Sequence, residues 1–163
     1  MKKEKHKKTN AMRMLDTHQV TCEVREYEWE ESRGTGVHAA EELGLNPEQV
    51  FKTLVGNGST TGPTVFCIPV AEELDLKKAA RESGNKSLSL IAVKDLLGVT
   101  GYLRGGCSPV GMKKQFPTYF HDSMRSFDTV YVSAGLRGLQ MEVNPEELAA
   151  VVEATFVSLT MEK

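Results

Sequence analysis

Cysteine is scarce and scattered in this chain of 163 residues: Cys22, Cys67 and Cys107 are odd in number, far apart and without CxxC spacing. That argues against a disulfide scaffold and against a zinc or redox pair of ordinary spacing. Reduced thiols are expected. No apolar run approaches the roughly 20 residues of a membrane helix. The basic start, Met1 to Lys8, has no apolar stretch of signal-peptide type behind it, so the expected location is the cytoplasm, with no membrane partner. Familiar catalytic signatures are missing too: there is no HExxH, P-loop, GxSxG elbow or GxGxxG after a strand. The four histidines, His6, His18, His38 and His121, stand far apart, and each reads first as an ordinary structural residue. Neither a metal site nor a cofactor is expected.

The charge balance is also informative. The first eight residues carry five Lys and one Glu, so the net charge of −2 leaves the rest at −6. A protein gripping nucleic acid over a wide surface has the opposite sign, because phosphate neutralisation drives that affinity. Any RNA contact must therefore be local or shared with a partner. The length suits one compact domain, taken as residues 11–163 behind a flexible basic leader, 1–10.

Local signals mix helices and strands. Ala11, Met12, Met14, Leu15 and His18 outline a short amphipathic helix capped by Thr9 or Asn10. A strand is expected from Cys22 to Trp29, a loop from Ser32 to Gly36, and a helix from Val37 to Leu43 stopped by Gly44. Asn46-Pro47-Glu48-Gln49 and Asn144-Pro145-Glu146-Glu147 share one helix-start signature, an Asn cap followed by Pro at the first position. Phe51–Val55 and Thr64–Val70 flank a hairpin-like Gly56–Gly62 segment. Asp75 caps a helix to Ser83, and Val93–Leu97 forms another, ended by Gly98. Thr129–Ser133 and Leu139–Val143 read as strands about a tight turn, followed by a helix from Pro145 to Glu153 and a strand from Thr155 to Leu159. Adjacent strand pairs with irregular helices predict an α+β fold, a mixed sheet flanked by helices.

The unusual segment is Gly101-Tyr102-Leu103-Arg104-Gly105-Gly106-Cys107-Ser108-Pro109-Val110-Gly111-Met112-Lys113-Lys114. Glycines let a backbone turn tightly and approach a ligand, so consecutive N–H groups can converge on an anionic oxygen. Composition alone leaves this binding loop and a plain structural loop evenly matched.

This run resembles the glycine-rich signature of the YbaK-like deacylases, the family that includes proteins labelled EbsC. Phe51-Lys52-Thr53-Leu54 upstream, and Tyr131-Val132-Ser133-Ala134-Gly135 with Arg137-Gly138-Leu139 downstream, agree with it in order and spacing. The similarity runs from about Ala11 to the C-terminus. The family is related to the editing insertion of bacterial prolyl-tRNA synthetases and to free-standing alanyl-tRNA(Pro) deacylases. Those relatives tend to carry Asn after the shared Lys, so Lys52-Thr53 with the full Gly-Gly-x-Ser-Pro-x-Gly-x-Lys-Lys pattern favours the cysteinyl branch.

The resemblance implies a strongly curved, nearly closed mixed sheet, and a trans-editing deacylase acting on the aminoacyl-tRNA 3′ end, with prolyl-tRNA synthetase as a transient partner. It makes Lys52 the essential side chain, holding the terminal adenosine or its phosphate and the aminoacyl carbonyl. Gly101, Gly105 and Gly106 match the loop whose backbone faces the scissile ester. Tyr27, Thr53, Ser108, Ser133 and Gly135 fall at substrate-binding positions, and Lys113 and Lys114 at a place for tRNA backbone contact. Two positions depart from the family: Ala134 stands where relatives often have a second glycine, and Thr35-Gly36 occupy the place of a pocket aromatic. For the cysteinyl branch the implied route is substrate-assisted, the substrate thiol attacking its own carbonyl. Three alternatives stay open: an alanyl-tRNA(Pro) deacylase, a non-catalytic module that binds a tRNA end or a synthetase, and a hydrolase of some other acyl ester. Cys107 is a further candidate nucleophile, although no histidine lies near it in sequence.

Overall fold

The computed structural model of the protein describes residues 8–29 and 35–162. The predicted leader before Lys8 and residues 32–34 of the predicted loop lie outside that range. Among the described residues, five α-helices, α1 (Asn10–Thr17), α2 (Thr35–Leu43), α3 (Leu76–Ser83), α4 (Val93–Thr100) and α5 (Pro145–Val152), surround eight strands. The strands are β1 (Cys22–Glu26), β2 (Phe51–Gly58), β3 (Gly62–Pro69), β4 (Leu88–Leu90), β5 (Thr118–His121), β6 (Val130–Ser133), β7 (Leu139–Val143) and β8 (Thr155–Val157). The α+β expectation holds.

The expectation of one nearly closed sheet is not met. The described strands form two open sheets, a three-stranded one ordered β1-β7-β6 and a five-stranded one ordered β4-β2-β3-β5-β8. A single parallel bridge, Val50 to Tyr131, joins them. The cause lies in β2, which pairs with β3 along its whole length but meets different neighbours along its other edge. There it touches β6 at Val50 and pairs with β4 only at Gly56–Gly58. Pro63 and Pro69 stand opposite Asn57 and Phe51. Proline has no N–H to give, so the odd positions of β2 turn their backbone groups away from β3. Val55 accordingly accepts from Ile91 N–H at 3.0 Å on the far edge. The same alternation turns the backbone of Thr53 toward the opening between β6 and β4.

Several elements differ from expectation for local reasons. Thr9 caps α1, its hydroxyl accepting from Met12 N–H and donating to the Ala134 carbonyl at 2.5 Å, so Thr9 and Asn10 belong to the fold. The first strand ends at Glu26, although Tyr27 N–H still reaches the Gly138 carbonyl. Thr35 and Gly36 are helical, not loop. The Asn46 signature yields one 3₁₀ turn because Val50 already turns into β2, whereas Asn144 starts the two-turn α5. Helix α4 runs through Gly98 to a left-handed cap at Gly101. The short β4 and the parallel β5 carried no local signal.

Alternation along β6 and β7 assigns their faces. Val130, Val132, Leu139, Met141 and Val143 bury into the main core with Phe51, Phe120, α1 and α5. A second core packs Phe66 and Ile68 under α3, and a third sets Val55 and Val65 against Tyr102 and Cys107 of the glycine-rich segment. The far end of the β2–β3 hairpin is fixed by the buried Asn85. Its Oδ1 accepts from the backbone of Thr60 (2.7 Å) and Thr61 (2.9 Å), and its Nδ2 donates to Thr61 Oγ1 and Ser83 Oγ. Asn85→Ala is expected to cost about 2 kcal/mol by leaving two hairpin amides without their acceptor. Urea denaturation checks this as a lower midpoint with an unchanged slope.

Candidate active site

Where β2 diverges from β6, a cavity of about 440 Å³ opens. Because Val50 pairs with Tyr131 in parallel, Lys52 and Ser133, each two residues further on, flank the cleft on the same face. Across the second sheet, Ser133 pairs with Gln140, and Tyr27 is held beside them by its backbone bond to Gly138. The opposite walls are apolar, from Ile91, Val93 and Leu96 around α4, and the third side is Arg104, Gly105 and Cys107.

Of the residues singled out from sequence, Lys52, Thr53, Tyr27, Gly105 and Ser133 line this cavity. Gly101 and Gly106 do not: the Gly101 N–H closes α4 on Leu97, and the Gly106 N–H donates to Leu103. Gly106 is glycine because the segment touches the 135–138 turn there, a Cβ falling 2.9 Å from Arg137 N. Ser108 is fully buried and its hydroxyl accepts from Val110 N–H. Gly135, with φ +102°, packs on Tyr102 and Thr9. Lys113 lays its stem over Gly101 and points its amine at the Gly98 carbonyl, and Lys114 is exposed outside the cavity lining. Gln140 and Arg104 were not singled out. Gln140 breaks an apolar strand, yet only the assigned face shows that it meets the pocket.

The electrostatics are one-sided. Among the described lining residues there is no histidine, aspartate or glutamate, while Lys52 and Arg104 are cationic. Burial holds the Lys52 amine below its ordinary pKa, against the opposing pull of Glu73 and Glu72. Burial pushes the Cys107 thiol up to about 12, so it stays protonated at neutral pH. The Tyr27 phenol is raised by burial, opposed by hydrogen bonds from Gly138 and Gln140. His121 is unavailable, its Nδ1 accepting from Leu159 N–H at 3.0 Å. No group of three or more potential metal ligands occurs among the described residues.

Behind the pocket, the same sheet face carries a polar network. Arg25 meets Glu142 at 2.7 Å and lies over the Tyr131 ring, while Thr129 donates to the other Glu142 oxygen at 2.6 Å.

The chain matches the family model described as "Aminoacyl-tRNA editing domain" over residues 30–151. A protein of Enterococcus faecalis (strain ATCC 700802 / V583), carrying the provisional name Cys-tRNA(Pro)/Cys-tRNA(Cys) deacylase EbsC, is 46% identical over 98% of this chain and 97% of its own length. Part of a proline–tRNA ligase of Shouchella clausii (strain KSM-K16) is 30% identical over 61% of this chain, which spans 17% of that enzyme. A crystal structure of a provisional trans-editing enzyme for prolyl tRNA synthetase superposes with TM-score 0.81 at 27% identity, covering 94% of this chain and 96% of the other. The chain belongs to the aminoacyl-tRNA editing domain family. Its class is therefore that of the editing enzymes. No described helix is long and apolar enough to cross a membrane.

The Glu142 carboxyl lies below its ordinary pKa because Thr129 and then Arg25 hydrogen-bond its charged form. A depressed folded pKa gives stability that is complete above the unfolded value and lost as pH falls through the folded one. Acid titration of the melting temperature should show that loss, and Glu142→Gln should flatten it.

Proposed function

We propose that this protein is a trans-editing deacylase that removes cysteine from mischarged tRNA(Pro), the substrate's own thiol acting as nucleophile. The observation that carries this reading is the absence of any carboxylate or imidazole among the described lining residues, beside a half-buried lysine. Hydrolysis by water, as an alanyl ester requires, is accelerated by a base that activates the water, and the described lining residues include no carboxylate or imidazole for that role. A cysteinyl ester brings a thiol that is a few per cent ionised at neutral pH and strongly nucleophilic without assistance. The thiolate sulfur bonds to the carbonyl carbon, the carbon–oxygen ester bond breaks, and the tRNA ribose oxygen leaves and takes up a proton. The products are free tRNA and a cyclic thiolactone.

In this mechanism the protein supplies position and charge. Lys52 and the backbone around Gly105 stabilise the negative oxygen that develops on the carbonyl. Ser133 and Thr53 flank the ester, and the apolar wall around α4 excludes water. The acidic balance of the chain limits its hold on tRNA to the 3′ end, so delivery by a transient prolyl-tRNA synthetase complex fits the same reading. Cytoplasmic location follows from the substrate.

Single-turnover assays on cysteinyl-tRNA(Pro), seryl-tRNA(Pro) and alanyl-tRNA(Pro) test this. Fast loss of cysteine alone is expected, with Lys52→Ala slowing it by about 10²–10³. Equal rates on seryl and cysteinyl esters would overturn the thiol route. Because burial lowers the Lys52 pKa, the background-corrected rate should fall with rising pH before an exposed lysine would lose its proton. That fall should be absent in Lys52→Arg. Cys107→Ala, by removing only a protonated thiol, should leave the cysteinyl rate within a few-fold of wild type.

A further inference from the structure

The tripeptide Leu-Arg-Gly occurs twice in the sequence, at 103–105 and at 136–138. Both copies fold into the same turn. The N–H of the residue after each glycine donates to the leucine carbonyl, Gly106 to Leu103 at 2.9 Å and Leu139 to Leu136 at 3.2 Å. Gly105 and Gly138 have φ +90° and +89°, the left-handed conformation that a turn of type II demands of its third residue. The two turns lie against each other, since a Cβ on Gly106 would stand 2.9 Å from Arg137 N. Each leaves its leucine and its arginine exposed. The arginines are also tied together: Arg137 Nε donates to the Arg104 carbonyl at 2.8 Å, and its guanidinium lies 4.2 Å from the centre of the Trp29 ring. Stacking on an indole holds a guanidinium in one orientation and leaves its outer N–H groups to a partner. Neither arginine is ion-paired with an acid among the described residues. Arg104 lines the cavity, so the pair runs from its wall onto the adjoining surface.

We propose that these two turns form a clamp for the unpaired 3′ strand of tRNA, with Arg104 and Arg137 binding its phosphates just outside the cavity. The identity of the strand rests on the editing function proposed above. A cavity of about 440 Å³ holds one small ligand. Only the aminoacyl end enters it, and the polymer attached to that end must cross the rim. Arginine takes phosphate through a planar fork of donors. Leu103 and Leu136 offer apolar contact to base faces beside those forks. Single-stranded nucleic acid is generally gripped by this combination of cations with aromatic and apolar platforms. Other ways out of the cavity suit a phosphate less. Glu72 and Glu73 act on the Lys52 amine from their side, and the wall around α4 is apolar. Lys113 turns its amine to the Gly98 carbonyl. A small cationic edge on a chain that is otherwise acidic is the local contact expected of a protein that holds only the end of its RNA.

Trp29 is the single tryptophan of the chain, so its fluorescence reports on the clamp directly. Uncharged tRNA(Pro) is titrated into the full-length protein, with filter retention as a second measure of affinity. The logarithm of the affinity should fall with the logarithm of the salt concentration with a slope of about −1.4, the value for two single-strand phosphates. Arg137→Gln, which keeps a donor for the Arg104 carbonyl, should make the slope shallower by about 0.7 and weaken binding by about tenfold, without lowering the melting temperature. Arg104→Gln should change the slope by the same amount. In single-turnover deacylation of cysteinyl-tRNA(Pro), the defect of Arg137→Gln should fall on the half-saturating protein concentration and not on the maximal rate. A slope that neither substitution changes would overturn the clamp, as would one that becomes shallower in Lys113→Gln or Lys114→Gln instead. A maximal rate lost at unchanged affinity would make the arginines props of the cavity wall and overturn it too. A wild type that binds tRNA with the expected slope yet releases no cysteine would sink the editing function and leave the clamp standing.

Discussion

One parallel contact, Val50 against Tyr131, sets the geometry of the molecule. It ties two sheets together at a single point and then lets them part. Lys52, Thr53 and Ser133 lie within three residues of that point. Lys52 follows Val50, Ser133 follows Tyr131, and Gln140 is paired with Ser133. A fully closed barrel would have sealed this opening with ladder hydrogen bonds. An unjoined pair of sheets would have left Lys52 in water, with an ordinary amine. The intermediate arrangement half-buries the lysine and keeps it accessible.

The glycine-rich segment supports that opening in a way its composition did not announce. Only Gly105 reaches the cavity. Gly106 lets two backbones touch, and Gly111 lets the segment pass beside Ala11 N and Tyr102 Oη. Tyr102 in turn donates to the Val110 carbonyl at 2.7 Å. Most of the glycines thus serve close packing, which holds the wall that Arg104, Gly105 and Cys107 present. Composition left a ligand cradle and a structural loop evenly matched, and in the described fold most of these glycines brace the cavity wall.

What could be read in advance followed from local chemistry. Asn144-Pro145 started a helix because nothing competed with it, and the alternation of Leu139 to Val143 declared a strand. Asn46-Pro47 made the same local offer and was overruled by the pairing of β2. β4 and β5 exist only through partners distant in sequence, which no window of a few residues contains. The site divides likewise. Lys52 and Ser133 were legible through motif resemblance, which encodes position without geometry. The place of Gln140 and the contacts of Gly101 and Gly106 depend on which face and which hydrogen bond each residue takes.

The lack of a carboxylate or imidazole among the described lining residues also bears on inactivation. Covalent inhibitors of hydrolases work by trapping a nucleophile that the enzyme has made reactive. Here the one lining thiol is held protonated by its burial, and the serine and threonine hydroxyls have no base among the described lining residues. An acylating or alkylating warhead would find no activated partner among them. The lining group that burial does make more reactive is the Lys52 amine, so a covalent inhibitor of this site would have to be an amine-acylating reagent.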